Sequence, residues 1–138
     1  MANSMYTKGR EHILLGDVAW LSADIKVVSV DETDDAPVLA TDEFLDPDIL
    51  VGAREFTSGN LAGKSSTLGT ADATDLTPAF SSATGDQFES ITIYVDSGVA
   101  TTSELLVNID TATGLPLTPD GGNIDITWSS AADKIFTV

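Results

Sequence analysis

Five features of the sequence have residue types that could do chemistry. The run Gly59-Asn60-Leu61-Ala62-Gly63-Lys64-Ser65 has the glycines, lysine and hydroxyl of a phosphate-cradling loop. Such a loop needs four residues between its glycines, so that backbone N–H groups wrap the phosphate before the lysine reaches it, and a helix must follow. Only three residues lie between them here, and Ser65-Ser66-Thr67-Leu68-Gly69 is a poor helix, so a glycine-bearing β-turn fits better. The acids Asp31, Glu32, Asp34 and Asp35, with Asp42, Glu43, Asp46 and Asp48 nearby, offer oxygen ligands for a hard cation. They lack the alternate spacing and following glycine of a calcium loop, which favours a solvated acidic loop. His12 is the single histidine, and with no cysteine in the chain a usual zinc site is not expected. A helix-end histidine is the simpler reading. Trp20 and Trp128 could form a sugar platform, but two tryptophans in a small β domain more often anchor a core or an interface.

The fifth feature is Asp96-Ser97-Gly98, directly after a strand-like run. It resembles the Asp-Ser/Thr-Gly signature of dimeric aspartic proteases, where two aspartates share a proton and divide the roles of acid and base. That fold also needs a later apolar-apolar-Gly element. Gly114 follows Thr113 and Gly121 follows Asp120, so neither supplies it. A hairpin turn suits Asp-Ser-Gly better. No Gly-x-Ser-x-Gly elbow accompanies His12. No catalytic residue, cofactor site or metal site is therefore assigned.

The elements that would position these residues are mainly β. From Ala53 onward, short apolar and β-branched segments alternate with Gly, Asn, Asp, Pro and Ser clusters. This predicts strands near 53–57, 64–68, 71–77, 88–95, 103–109, 123–128 and 134–138. Ile25 to Val30 reads as an earlier strand. A short helix is expected over residues 4–15, with Ser4 as N-cap, Tyr6, Ile13 and Leu14 as its apolar stripe, and Gly16 ending it; Gly9 argues against it. Thr41-Asp42-Glu43-Phe44 suggests a helical turn over 42–46 that Pro47 limits. The expectation is one β-rich domain over 1–138, an antiparallel β-sandwich or jelly-roll-like barrel with a short N-terminal helix or arm over 1–16.

Composition bounds the function. The chain has 138 residues, 22 acidic and 6 basic, for a formal net charge of −16. That surface repels nucleic-acid phosphates, so no nucleic-acid partner is expected. The absence of cysteine excludes disulfides and thiolate chemistry. No apolar run is long enough to span a bilayer, so no membrane partner is expected. The opening Met1-Ala2-Asn3-Ser4-Met5 lacks the apolar core of a signal peptide, which points to synthesis and assembly in a cytoplasm.

Several segments together resemble a family of small tailed-phage virion proteins. They are Tyr6-x-Lys8 with Glu11, Gly16-Asp17-Val18-x-Trp20-Leu21-Ser22-x-Asp24-Ile25-Lys26-Val27-Val28, Leu39-Ala40-Thr41-Asp42-Glu43-Phe44-Leu45 and Gly52-Ala53-Arg54. Further along come Thr57-Ser58-Gly59-Asn60-Leu61-x-Gly63-Lys64, Ile109-Asp110-Thr111-Ala112-Thr113-Gly114-Leu115-Pro116, and the stretch from Asn123 to Phe136. Leu76-Thr77-Pro78-Ala79 departs from the family's plain strand, and Asp46-Pro47-Asp48-Ile49-Leu50 is less regular. Pro78 would end that strand or hold it at an edge. The resemblance implies a non-enzymatic virion structural protein and carries no assigned residues with it. A capsid decoration or cement subunit is the leading expectation, with the major capsid protein and copies of itself as partners. The alternative is a neck, tail or fibre-base protein, with a glycan-binding module as a variant of it. Lys8, Arg10 and Lys26, in the least acidic part of the chain, are the expected shell contact.

Overall fold

The computed structural model describes residues 3–138. The protein is mainly β, with ten strands in antiparallel sheets and one regular helix among the described residues. The central sheet has five strands. They are β1 (Ser4–Met5), β2 (Ile25–Val30), β3 (Arg54–Thr57), β7 (Ser90–Val95) and β8 (Leu105–Ile109), in the order β1-β8-β7-β2-β3. Three strands form a second sheet in the order β10 (Phe136–Thr137), β5 (Thr70–Asp72), β4 (Ser65–Thr67). A third pairs β6 (Leu76–Phe80) with β9 (Ile124–Ile126).

Pairing β2 with β7 residue for residue puts Ile25, Val27, Ile91 and Ile93 on one face, joined by Val107, Ile109 and Met5. The two small sheets supply the covering layer of this sandwich. Phe80, Phe88, Trp128 and Phe136 pack into that core. Phe56, Phe80 and Phe88 form a mutually tilted trio with centroids 5.6–6.1 Å apart, a geometry that adds about 0.5–1.5 kcal/mol per pair beyond area burial.

The opposite face of the sheet is covered by Tyr6 and by Leu45, Ile49 and Ala53. It also holds a buried polar cluster. Tyr6 Oη lies 3.0 Å from Thr92 Oγ1, and Asn108 Nδ2 donates to Ser90 Oγ at 3.0 Å and to Thr92 Oγ1 at 3.2 Å. Burial pushes the Tyr6 phenol well above its ordinary range.

The outer edge of β8 is closed by two separate segments. β1 pairs with Val107 and Asn108, and the Tyr6 N–H donates to the Leu106 carbonyl at 2.9 Å. Further along, Leu105 N–H donates to the Glu43 carbonyl and Leu45 N–H to the Ser103 carbonyl, at 2.9 and 2.8 Å.

The helix, α1, spans Thr7–Leu15 and ends at Gly16 in the left-handed conformation, as expected. Its start differs from expectation. Ser4 is not the N-cap, because it is drawn into the edge of the sheet, and Tyr6 takes the cap position. Leu14 is not on the apolar stripe: it points to solvent, and Gly9 is the buried position instead. A Cβ at Gly9 would lie 2.5 Å from the Leu105 carbonyl oxygen and 3.0 Å from Leu106 Cα. The residue that argued against a helix is the one that lets it approach β8.

Other boundaries also move. The strand expected over 71–77 is two strands, β5 and β6, separated at residues 73–75. Pro78 sits inside β6, in a two-stranded sheet where the register slips between Leu76 and Phe80. Such a ribbon has no inner strand, which is how it tolerates a missing N–H. The helical turn lies at Leu45–Asp48 rather than 42–46 and is interrupted by an extended Asp46. Asp48 ties this turn to the segment before it: its carboxylate accepts the N–H groups of Glu43 and Phe44 at 2.7 and 2.9 Å.

Candidate interaction surface

The motifs weighed from the sequence occupy ordinary structural places. The Gly59–Ser65 run is a connection between β3 and β4, with Gly63 at φ +60° and strand rather than helix after it. Lys64 donates to the Ala23 carbonyl. Asp96-Ser97-Gly98 forms a turn at the end of β7. Asp96 Oδ1 accepts the Gly98 N–H at 2.9 Å, and Asp96 Oδ2 lies 2.6 Å from Lys26 Nζ. The lysine, then the Gly98 N–H, hold the Asp96 carboxyl below its ordinary range.

Most of the acids of residues 31–48 are tied into turns or ion pairs rather than simply solvated, whereas Asp34 is exposed. Asp31 accepts from the Thr33 N–H at 2.9 Å, Asp42 from the Val38 N–H at 2.6 Å, and Asp35 from the Leu50 N–H at 2.8 Å. Each carboxylate satisfies an amide that no ladder reaches. Asp46 binds Arg54 at 3.1 Å. The Thr33 hydroxyl holds the Asp31 carboxyl low, whereas burial raises those of Asp42 and Glu55. Asp31, Glu55 and Asp86 converge on one another.

Both tryptophans are anchors. Trp128 is buried and donates to the Thr74 carbonyl at 3.2 Å. Trp20 donates to the Ser65 carbonyl at 2.9 Å and stands edge-on to Phe136 at 5.2 Å.

Lys8, Arg10 and Lys26 do not form one basic patch. Lys8 is paired with Glu11 at 2.9 Å on α1. Lys26 lies on β2 and is engaged by Asp96. Arg10, two residues from Lys8 and so turned to another side of the helix, lines a groove of about 950 Å³ with Met5, Val107, Ile109, Trp128 and Phe136. Among the described residues it is the α1 cation without a carboxylate at ion-pair distance.

Several exposed apolar residues adjoin, along the chain, the lining of a second and smaller cleft. That cleft, of about 110 Å³, is lined by Ile13, Val18, Trp20, Gly69, Phe136 and Val138. The chain neighbours of these residues, Leu14, Leu21 and Leu68, are exposed, as is Val138 itself. Leu68 is 97% exposed at the tip of the β4–β5 hairpin, with φ +53°, followed by Gly69 at φ +79°. Two successive left-handed residues are the signature of a type I′ turn, where Asn or Asp is favoured and a leucine is strained. The composition of Ser66-Thr67-Leu68-Gly69 carried no signal that this leucine would face water.

The sequence also gave no signal for the surroundings of His12. Its Nδ1 is 3.0 Å from Asp17 Oδ2 and 3.7 Å from Glu104 Oε1, and its Nε2 is 2.9 Å from Glu43 Oε1. Burial works against a charged ring here, but Asp17, Glu43 and Glu104 outweigh it and hold the imidazole above its ordinary range. Burial raises the Glu104 carboxyl.

Compared with known protein families and with curated protein sequences, the chain matches none. No helix among the described residues is long and apolar enough to cross a membrane.

Proposed function

We propose that this chain is a non-enzymatic structural subunit of a tailed-phage virion, a capsid decoration or cement protein that binds the major capsid protein and further copies of itself. The observation that carries the assembly reading is Leu68: an apolar side chain, fully exposed, in a backbone conformation that disfavours it, beside an apolar cleft. A residue that costs stability at a turn and gains nothing inside the monomer fits a contact with another molecule. The segment resemblance supplies the virion, and the −16 charge suits a surface kept apart from nucleic acid. Arg10 in its groove is the strongest of the three basic contacts, since Lys8 and Lys26 are already engaged. Placement at the neck, tail or fibre base is the alternative, and copy number separates the two.

The test is Leu68→Asn. Asparagine suits the left-handed position, so the isolated protein should gain up to about 1 kcal/mol. Occupancy of the subunit on particles, quantified by mass spectrometry, should fall at least several-fold. Hundreds of wild-type copies per particle fit the shell and about six or twelve fit the neck or tail. Full occupancy by the Leu68→Asn protein would remove the observation on which the reading stands, and absence of the chain from purified particles would overturn the reading itself.

A further inference from the structure

We propose that His12, Asp17 and Glu104 form a binding site for a borderline transition-metal dication of the zinc type, with Glu43 as the carboxylate that orients the imidazole. One ligand atom from each of His12, Asp17 and Glu104 lies within 4.8 Å of the other two. A tetrahedral zinc with bonds near 2.0–2.2 Å separates its ligands by about 3.3 Å. The two distances from Nδ1, 3.0 Å to Asp17 and 3.7 Å to Glu104, fall on either side of that edge.

Three further observations point to a ligand rather than to an ion pair alone. First, Nε2 lies 2.9 Å from Glu43 Oε1. With the Nε2 proton donated there, the Nδ1 lone pair is left facing Asp17 and Glu104, which is the carboxylate–histidine–metal arrangement of protein metal sites. Second, Nδ1 carries at most one proton, and Asp17 is at hydrogen-bond distance for it, whereas Glu104 at 3.7 Å is not. The Glu104 side chain is only 16% exposed, and no donor is within hydrogen-bond reach of it among the described residues. A dication would satisfy this carboxylate and offset two negative charges brought together at one ring. Third, Asp17 is 49% exposed, which leaves an open side for entry and for a water as fourth ligand. The imidazole selects zinc-like ions over magnesium and calcium, which prefer oxygen alone. The ligands come from α1, from the connection after it, and from the residue before β8. A bound ion would pin the far end of the helix to the sheet edge. The missing histidines and cysteines of a usual zinc site are replaced here by carboxylates from distant segments.

The experiment is titration of tag-free, chelator-treated protein with Zn²⁺ near pH 8 by calorimetry, with Co²⁺ as a spectroscopic stand-in. One equivalent should bind with micromolar or tighter affinity and raise the melting temperature, and Co²⁺ should give visible bands of four-coordinate intensity. Asp17→Asn and Glu104→Gln should each weaken binding by about tenfold or more, and Glu43→Gln by about tenfold. Near-UV circular dichroism of each metal-free variant shows that its fold is retained, and exposed Asp17 is the safest position. Absence of binding up to about 1 mM Zn²⁺, or wild-type affinity in both Asp17→Asn and Glu104→Gln, overturns the site. Neither result bears on virion occupancy.

Discussion

Replacing Gly9 by alanine sets two physical effects against each other. In an exposed helix, Gly→Ala stabilises by about 0.8–1.0 kcal/mol. Here the new Cβ meets β8 backbone, at 2.5 Å from the Leu105 carbonyl oxygen, 3.0 Å from Leu106 Cα and 3.1 Å from the Leu106 carbonyl oxygen. β8 cannot retreat, because its other side is paired with β7 through Tyr94–Leu105 and Ile93–Val107. The helix must lift by roughly 1 Å to restore ordinary contact, which strains the Tyr6 N–H to Leu106 carbonyl bond at its root. Overpacking costs about 1–3 kcal/mol, and an approach of 2.5 Å to backbone, which has no flexible end to move aside, falls in the upper half of that range; a weakened hydrogen bond adds up to about 1 kcal/mol. Set against the helix gain, Gly9→Ala should destabilise by about 1–3 kcal/mol. Urea unfolding followed by Trp20 and Trp128 fluorescence measures it, and the melting temperature should fall by roughly 3–10 °C. Gly16→Ala is the control. Nothing lies within 4 Å of its Cβ, so only its φ of +83° is penalised, by about 1 kcal/mol. A Gly9→Ala protein as stable as wild type, or more so, would refute the close approach of α1 to β8.

Two other outcomes are expected. Thr92→Val removes the hydroxyl shared by Tyr6 and Asn108 and should cost about 1–3 kcal/mol in urea unfolding, because it strands buried polar groups. Asp96→Asn tests the Lys26 pair by its pH dependence. The folded Asp96 carboxyl is held low by Lys26 and the Gly98 N–H, so its contribution is present above the ordinary carboxyl range and is lost as pH falls through the lower folded value. Wild type should therefore exceed Asp96→Asn by about 0.5–1 kcal/mol near neutrality, and thermal melts of the two should converge on acidification. A gap that widens in acid would contradict the pairing.

The strands were legible where one face is buried, since Ile91, Ile93 and Val95 or Ile25 and Val27 repeat at the strand period and their pairings keep them on one side. The β-sandwich class followed from that spacing. What was not legible depended on tertiary neighbours. Ser4 has the chemistry of a cap, but an open sheet edge claimed its backbone first. Leu14 fits an apolar stripe by count, but the helix meets the sheet through Gly9, which rotates Leu14 outward. The acids between 31 and 48 looked like solvent-facing charge because their amide partners are set by turns that composition does not reveal. The His12 surroundings were invisible for the same reason: Asp17, Glu43 and Glu104 belong to three segments that only the β8 edge brings together.

The closed edge of β8 also bears on crowding. An unpaired strand edge recruits like edges without limit, and proteins held at high local density must blunt it. Here Ser4 to Tyr6 and Glu43 to Leu45 occupy the backbone groups that a neighbouring copy would otherwise seize. Molecules packed side by side through this flank therefore meet an edge strand of two residues, too short to template a continuing sheet. At this edge an ordered layer is favoured over an open-ended fibre.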